Sequence, residues 1–139
     1  MQEKHNTDTI RRPQGNRMID GLRVNINLPL LIDQIKNEKA WEFSDRNAIT
    51  VFKTDGMRIV LVALHKGAHI MEHRIDDIIS LQVLDGQMQF NSIKQSAELN
   101  KGQMITLHEG IPYSLLATEE TVFLLTLTSW PEGENIRYK

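Results

Sequence analysis

The chain has 139 residues, five histidines and no cysteine, so imidazoles carry most of whatever chemistry it can do. The missing thiols remove disulfides, thiolate nucleophiles, zinc fingers and iron–sulfur clusters together. Three of the histidines, His65, His69 and His73, recur at intervals of four. On a helix that spacing would place three imidazoles on one face, where they could grip a metal ion. Gly67 interrupts the run, however, and Ile59–Leu64 and Ile78–Leu84 on either side read as strands. Along a strand, residues four apart stand about 13 Å from one another, too far to share an ion unless the loop bends. His73 is the best single candidate. On an extended segment it shares a face with Met71 and Ile75, and it can act as a base, as a ligand anchor or as a hydrogen-bonded core histidine. His108-Glu109 falls in a turn and reads as solvated loop. The chain has no G-x-x-x-x-G-K-[ST] loop, no G-x-G-x-x-G and no G-x-S-x-G elbow. The signatures of phosphate-cradling, dinucleotide-binding and serine-hydrolase sites are therefore missing.

The elements that must position these groups are mostly short strands. Residues 1–20 are polar, broken by Arg11-Arg12-Pro13, and read as a flexible arm. An arm of this kind can also add a strand to a partner subunit. Leu22, Val24 and Ile26 alternate with Arg23, Asn25 and Asn27, which predicts a strand. One helix is predicted over Leu28–Lys39, capped by Asn27, with Pro29 in its first turn and an apolar stripe of Leu31, Ile32 and Ile35. Trp41 and Phe43 are expected to anchor its exit against the core. From Ala48 the pattern becomes strands cut by turn signals: Ile49–Lys53, Met57–His65, Ile70–Ile75, Ile78–Leu84, Gln87–Asn91, Ser96–Leu99, Gln103–Leu107, Tyr113–Ala117 and Thr121–Ser129. That is about nine strands, the mark of a sandwich or barrel. In Val122–Thr128 both faces are apolar, so the outer face is expected to meet a second subunit.

Hydrophobic residues make up 40 % and charged residues 24 % of the chain, which places it among ordinary globular domains. A net charge of −2 gives no field to recruit nucleic acid or an anionic membrane. The longest apolar runs, Ile59–Leu64 and Val122–Leu125, fall far short of the roughly 18–20 residues of a membrane helix. Met1–Gly21 carries no apolar leader core, so a cytoplasmic location is expected.

Gly67–Ala117 resembles a cupin, the small jelly-roll barrel also called a double-stranded β-helix. Cupin motif one reads G-x5-H-x-H-x3,4-E-x6-G, and the same spacing here gives Gly67, His73, Ile75, Ile79 and Gly86. Motif two reads G-x5-P-x-G-x2-H-x3-N, and here it gives Gly102, His108, Gly110, Tyr113 and Ala117. All four glycines fall in register. The resemblance covers roughly residues 49–127 and implies an all-β cupin jelly-roll barrel with one short N-terminal helix. The expected organisation is a flexible arm at 1–20, a strand and helix extension at 21–45, the barrel at 46–130 and a tail at 131–139.

In metal-binding cupins the motif histidines and glutamate form a 3-His-1-Glu site. Of that set this chain keeps His73, with Ile75, Ile79 and Tyr113 at the other three positions. The resemblance thus implies the fold without the usual metal, and no cofactor is expected. Ile75, Ile79, Leu81 and Val83 follow period 2 and should line the interior, either as an apolar pocket or as a filled core. Met57, Met71, Met88 and Met104 supply adaptable packing in either case. The expected ligand-binding set is His73, Tyr113, Met71, Ile75, Ile79 and Leu81. The leading reading is a metal-free homodimeric binding or structural module for a small apolar ligand, with neither nucleic acid nor membrane as partner. Two alternatives are enzymes. One is a metal-dependent dioxygenase or isomerase with ligands drawn from His65, His69, His73 and His108. The other is a metal-free isomerase pairing His73 as base with Tyr113 as acid, as sugar-nucleotide epimerases on a similar jelly roll do.

Overall fold

The computed structural model describes residues 4–6 and 17–129. Two short strands come first, β1 (Lys4–Asn6) and β2 (Arg17–Asp20), paired antiparallel. The expected flexible arm is therefore corrected where the residues are described. Ile19 and Asp20 are buried, and β2 packs beside the first barrel strand. Residues 1–3 and 7–16, and the expected tail at 131–139 together with Trp130, lie outside the described residues. The strand expected at Leu22–Asn27 does not form. Its alternation is genuine, but Leu22 points into solvent at 85 % exposure, and only Val24 and Ile26 turn partly toward the protein.

The predicted helix is two helices, α1 (Leu28–Lys36) and α2 (Lys39–Phe43). Asn27 caps α1, its Oδ1 accepting from the Leu30 N–H at 3.1 Å, and Leu31 and Ile35 form the buried stripe. Asn37 ends the helix three residues earlier than predicted. Its side-chain amide donates to the Asp33 carbonyl at 2.7 Å and its N–H to the Gln34 carbonyl at 3.1 Å, which satisfies carbonyls that further helical turns would have used. The buried Asn47 then ties the junction to the barrel, its Nδ2 donating to the Ile35 carbonyl and to Glu38 Oε1, both at 2.9 Å. Trp41 anchors α2 as expected by stacking on His65, with ring centroids 3.5 Å apart. Phe43 does not; it closes the helix on the solvent side, 78 % exposed.

Nine strands follow: β3 (Arg46–Thr54), β4 (Met57–Leu64), β5 (His69–His73), β6 (Ile78–Asp85), β7 (Gln87–Ser92), β8 (Gln95–Asn100), β9 (Met104–Leu107), β10 (Tyr113–Ala117) and β11 (Thr121–Thr128). They form a four-stranded sheet in the order β5-β10-β7-β8 and a five-stranded sheet in the order β3-β4-β11-β6-β9, with every pairing antiparallel. From β4 onward the chain crosses repeatedly between the sheets, as a jelly roll does. The inner faces meet in one apolar core that includes Leu64, Leu81, Val83, Met88, Phe90, Leu115 and Phe123.

A second apolar layer lies outside the five-stranded sheet. Leu31 and Ile35 of α1 pack on Ile49, Val51, Leu61, Ala63 and Val122. Much of the outer apolar face that the sequence assigned to a second subunit is thus covered by the chain's own helices. The two-sided reading of β11 stands: Phe123 and Leu127 enter the inner core, and Val122 enters the helix layer.

All four motif glycines adopt positive φ, and at Gly86 the space is closed as well. A Cβ there would run into the Glu120 carbonyl and approach the Thr121 Cα to 2.7 Å. The buried Thr121 hydroxyl accepts from the Gln87 N–H and donates to the Glu119 carbonyl at 2.7 Å, so the backbone cannot yield cheaply. Gly86→Ala is expected to lower the unfolding free energy by more than about 3 kcal/mol, and Gly102→Ala, where φ is similar but no atom is near, by about 1–2 kcal/mol. Equal losses in urea denaturation would contradict the close approach.

Candidate functional site

β5 and β10 bring the two leading candidates together. His73 and Tyr113 are directly paired across the strands, and their rings meet edge to face with centroids 6.0 Å apart. Tyr113 is buried and stacks on Phe90 at 5.3 Å from the other side, while His73 stands at the exposed rim. No hydrogen bond joins the pair, which is held by ring packing. Burial pushes the Tyr113 phenol above the usual tyrosine range, so at neutral pH it is a protonated donor.

The rest of the expected set divides by depth. Ile79 and Leu81 lie on β6 in the closed core, 2 % and 0 % exposed. Ile75 is half-buried over the end of that core, and its carbonyl accepts from the Gly110 N–H at 2.8 Å. That bond pins the loop after β9 against the loop after β5 and brings Ile111 onto the core. Met71 is a correction: it faces outward, 70 % exposed. The cause is a register shift in β5. Tyr113 pairs with His73 but Leu115 pairs with Ile70, so an extra residue intervenes and reverses the alternation. Ile70, and not Met71, turns toward the core.

The other histidines are dispersed. His65 stacks on Trp41 and its Nε2 lies 2.9 Å from the Trp41 carbonyl, which leaves it clamping α2. His69 opens β5, opposite Leu116, at the far end from His73. His108 sits in the turn after β9, its Nδ1 3.8 Å from Glu109. Among the described residues no three His, Asp or Glu side chains converge as metal ligands would.

Among the described residues, clefts also lie outside the barrel, and the sequence pattern did not point to them. One of about 420 Å³ runs between the start of α1, β2 and the loop joining them, with Arg17, Arg23 and Leu30 on its walls. The other, of about 550 Å³, opens on the outer side of the four-stranded sheet beside Ile93 and Lys94. The turn that builds its rim, Ser92-Ile93-Lys94-Gln95, lacks Gly, Asn, Asp and Pro, so no turn signature marked it.

No family model and no curated protein matches the chain. Solved structures do. A conserved protein of unknown function from Streptococcus pyogenes aligns at 21 % identity and TM-score 0.61, over 81 % of this chain and 92 % of that one. A cupin-2 domain protein from Shewanella frigidimarina aligns at 17 % identity and TM-score 0.61, over 75 % of this chain and 94 % of that one. The fold is that of a cupin. A variant of salicylate 1,2-dioxygenase from Pseudoaminobacter salicylatoxidans shares this cupin fold at 16 % identity and TM-score 0.67, over 83 % of this chain and 39 % of that one. Neighbours thus include an enzyme as well as a protein of unknown function, and at these identities they share the fold alone. No helix of the described residues is long and apolar enough to cross a membrane.

The raised Tyr113 ionisation makes stability pH-dependent. The neutral phenol is the form the fold favours, so its contribution is whole below about pH 10, the unfolded value, and is lost as pH climbs through the higher folded value. Wild type is expected to lose stability above about pH 10 more steeply than Tyr113→Phe, as read by denaturation at a series of pH values. Parallel profiles would show that the buried phenol is not the group responsible.

Proposed function

We propose that this cupin-fold chain is a metal-free, homodimeric binding or structural module of the cytoplasm, taking a small apolar ligand at the barrel mouth beside His73 and Tyr113. The observation that carries this reading is the state of the four positions at which the resemblance would seat a metal. Tyr113 and Ile79 are buried in the apolar core, Ile75 packs over its end, and His73 is the one imidazole among them. A divalent ion takes about four to six N or O donors at roughly 2.0–2.2 Å. One imidazole beside a protonated phenol does not supply them, and the flanking isoleucines disfavour a hydrated dication. The residues present do not fit the metal of metal-binding cupins. The dispersal of His65, His69 and His108 also counts against a rearranged metal site. The mouth, with its apolar Ile75 and Ile111 beside one imidazole and one phenol, suits a small, largely apolar ligand.

The dimer is supported by the part of the five-stranded sheet that the helices leave bare. There Thr126, Gln82 and Ser80 are only half-buried, with Met57 and Met104 exposed at either side and Leu124 at the edge of the helix layer. Among the described residues this patch carries no charge at its centre, so they offer a second copy no like-charge repulsion when it packs there. Native mass spectrometry, with elemental analysis of the same sample, tests both parts. The expected result is a dimer with metal far below one ion per chain, unchanged after incubation with Mn, Fe, Ni or Zn. A stoichiometric ion that survives exchange would overturn the metal-free reading, and a monomer at micromolar concentration would overturn the dimer.

A further inference from the structure

The cleft of about 550 Å³ lies on the far side of β10 from the barrel interior. Tyr113 and Leu115 are buried in the core, and Ser114 between them lines the cleft. Its floor is a polar row across three strands. Ser114 of β10, Asn91 of β7 and Ser96 of β8 are direct register partners. Ser96 Oγ donates to Asn91 Oδ1 at 2.6 Å, and Asn91 Nδ2 donates to Ser114 Oγ at 3.3 Å. These bonds fix the side chains in place before any ligand arrives, which lowers the ordering cost of binding.

Among the described residues, two opposite charges line this floor. Glu72 comes from β5 and Lys94 from the turn between β7 and β8. Among the described residues, neither side chain has a hydrogen bond or an ion pair. The turn that carries Lys94 is held in an unfavourable form. Ile93 and Lys94 have φ of 50° and 57°, the left-handed pair that a two-residue hairpin needs and that Asn-Gly supplies without strain. A β-branched residue there is an outlier, and such outliers cluster at ligand clamps. The conformation leaves Ile93 66 % exposed, and with Ile111 and Pro112 it supplies apolar contact to the same cleft. Among the described residues no aromatic ring lines the cleft, which disfavours a sugar ring.

We propose that this cleft binds a small zwitterion of the free amino-acid or dipeptide class. Lys94 receives the carboxylate, Glu72 receives the ammonium, the Ser114–Asn91–Ser96 row offers hydrogen bonds, and Ile93 packs on the ligand's hydrocarbon part. The polar floor of the cleft faces away from the barrel core, and Ile111 is the residue that the cleft shares with the barrel mouth.

Titration calorimetry on the full chain tests it, with L-leucine, L-glutamine and alanyl-alanine as probes and N-acetyl-L-leucine amide as the uncharged comparison. Saturable binding is expected for at least one zwitterion and none for the amide. Glu72→Gln and Lys94→Gln should each weaken that binding by about tenfold or more, the effect of losing a charge-assisted contact. The double variant Ile93→Asn, Lys94→Gly should melt at a higher temperature than wild type and bind more weakly, because it relieves the strain and removes the cation. The proposal fails if no zwitterion binds at millimolar concentration, if the amide binds equally, if the charge variants bind as wild type does, or if the double variant is not stabilised.

Discussion

Everything in this protein is hung on the contact between the inner faces of its two sheets. Leu81 and Val83 of β6, Phe123 of β11 and Leu64 of β4 meet Phe90 and Met88 of β7 and Leu115 of β10 in a core closed to water. Burying such side chains contributes about 1.5–3 kcal/mol each. Two of the four positions at which metal-binding cupins seat their ion belong to the same contact. Ile79 is part of that core, and Tyr113 is stacked on Phe90 within it. The consequence is chemical as well as mechanical. Polar side chains are left at the edge of the barrel, where His73 stands at the rim, and on the outer sheet surface, where Glu72 and Lys94 line a cleft.

The second constraint is how a sheet with two apolar faces avoids exposing both. The chain spends part of its N-terminal half on the answer. α1 lays Leu31 and Ile35 over Ile49, Leu61 and Val122. Three polar ties hold the cover down: Asn47 to the junction between α1 and α2, His65 under Trp41, and Lys36 to Glu120 at 2.8 Å. His65 thus serves the cover. What remains bare is a smaller patch of mixed apolar and hydroxyl side chains.

The fold was legible because turn chemistry is local. Asp55-Gly56, Asp85-Gly86, Asn100-Lys101-Gly102 and Glu109-Gly110 each mark the end of a strand, and these glycines all have positive φ. The depth of Ile79, Leu81 and Val83 followed from period 2 in the same way. The errors arose where a single residue changes a pattern. One extra residue in β5 turned Met71 outward and Ile70 inward, and no side-chain preference announces such a bulge. Asn37 stopped α1 early and let a second helix begin. The turn at Ile93-Lys94 adopts the left-handed pair against the preference of its residues, so propensity could not reveal it. Covering of the outer face by α1 needed tertiary knowledge, since an amphipathic helix and an apolar sheet face do not say which surfaces they choose.

Position 79, where metal-binding cupins carry the glutamate of motif one, is packed core in this chain and not a hydrated cavity. The most direct test is the equilibrium unfolding free energy of Ile79→Glu, which restores the carboxylate of motif one. If position 79 is closed core, an unpaired carboxyl there should cost more than about 4 kcal/mol or prevent folding altogether. A loss below about 1 kcal/mol would mean that water or ligand donors already reach this position, and would contradict the account.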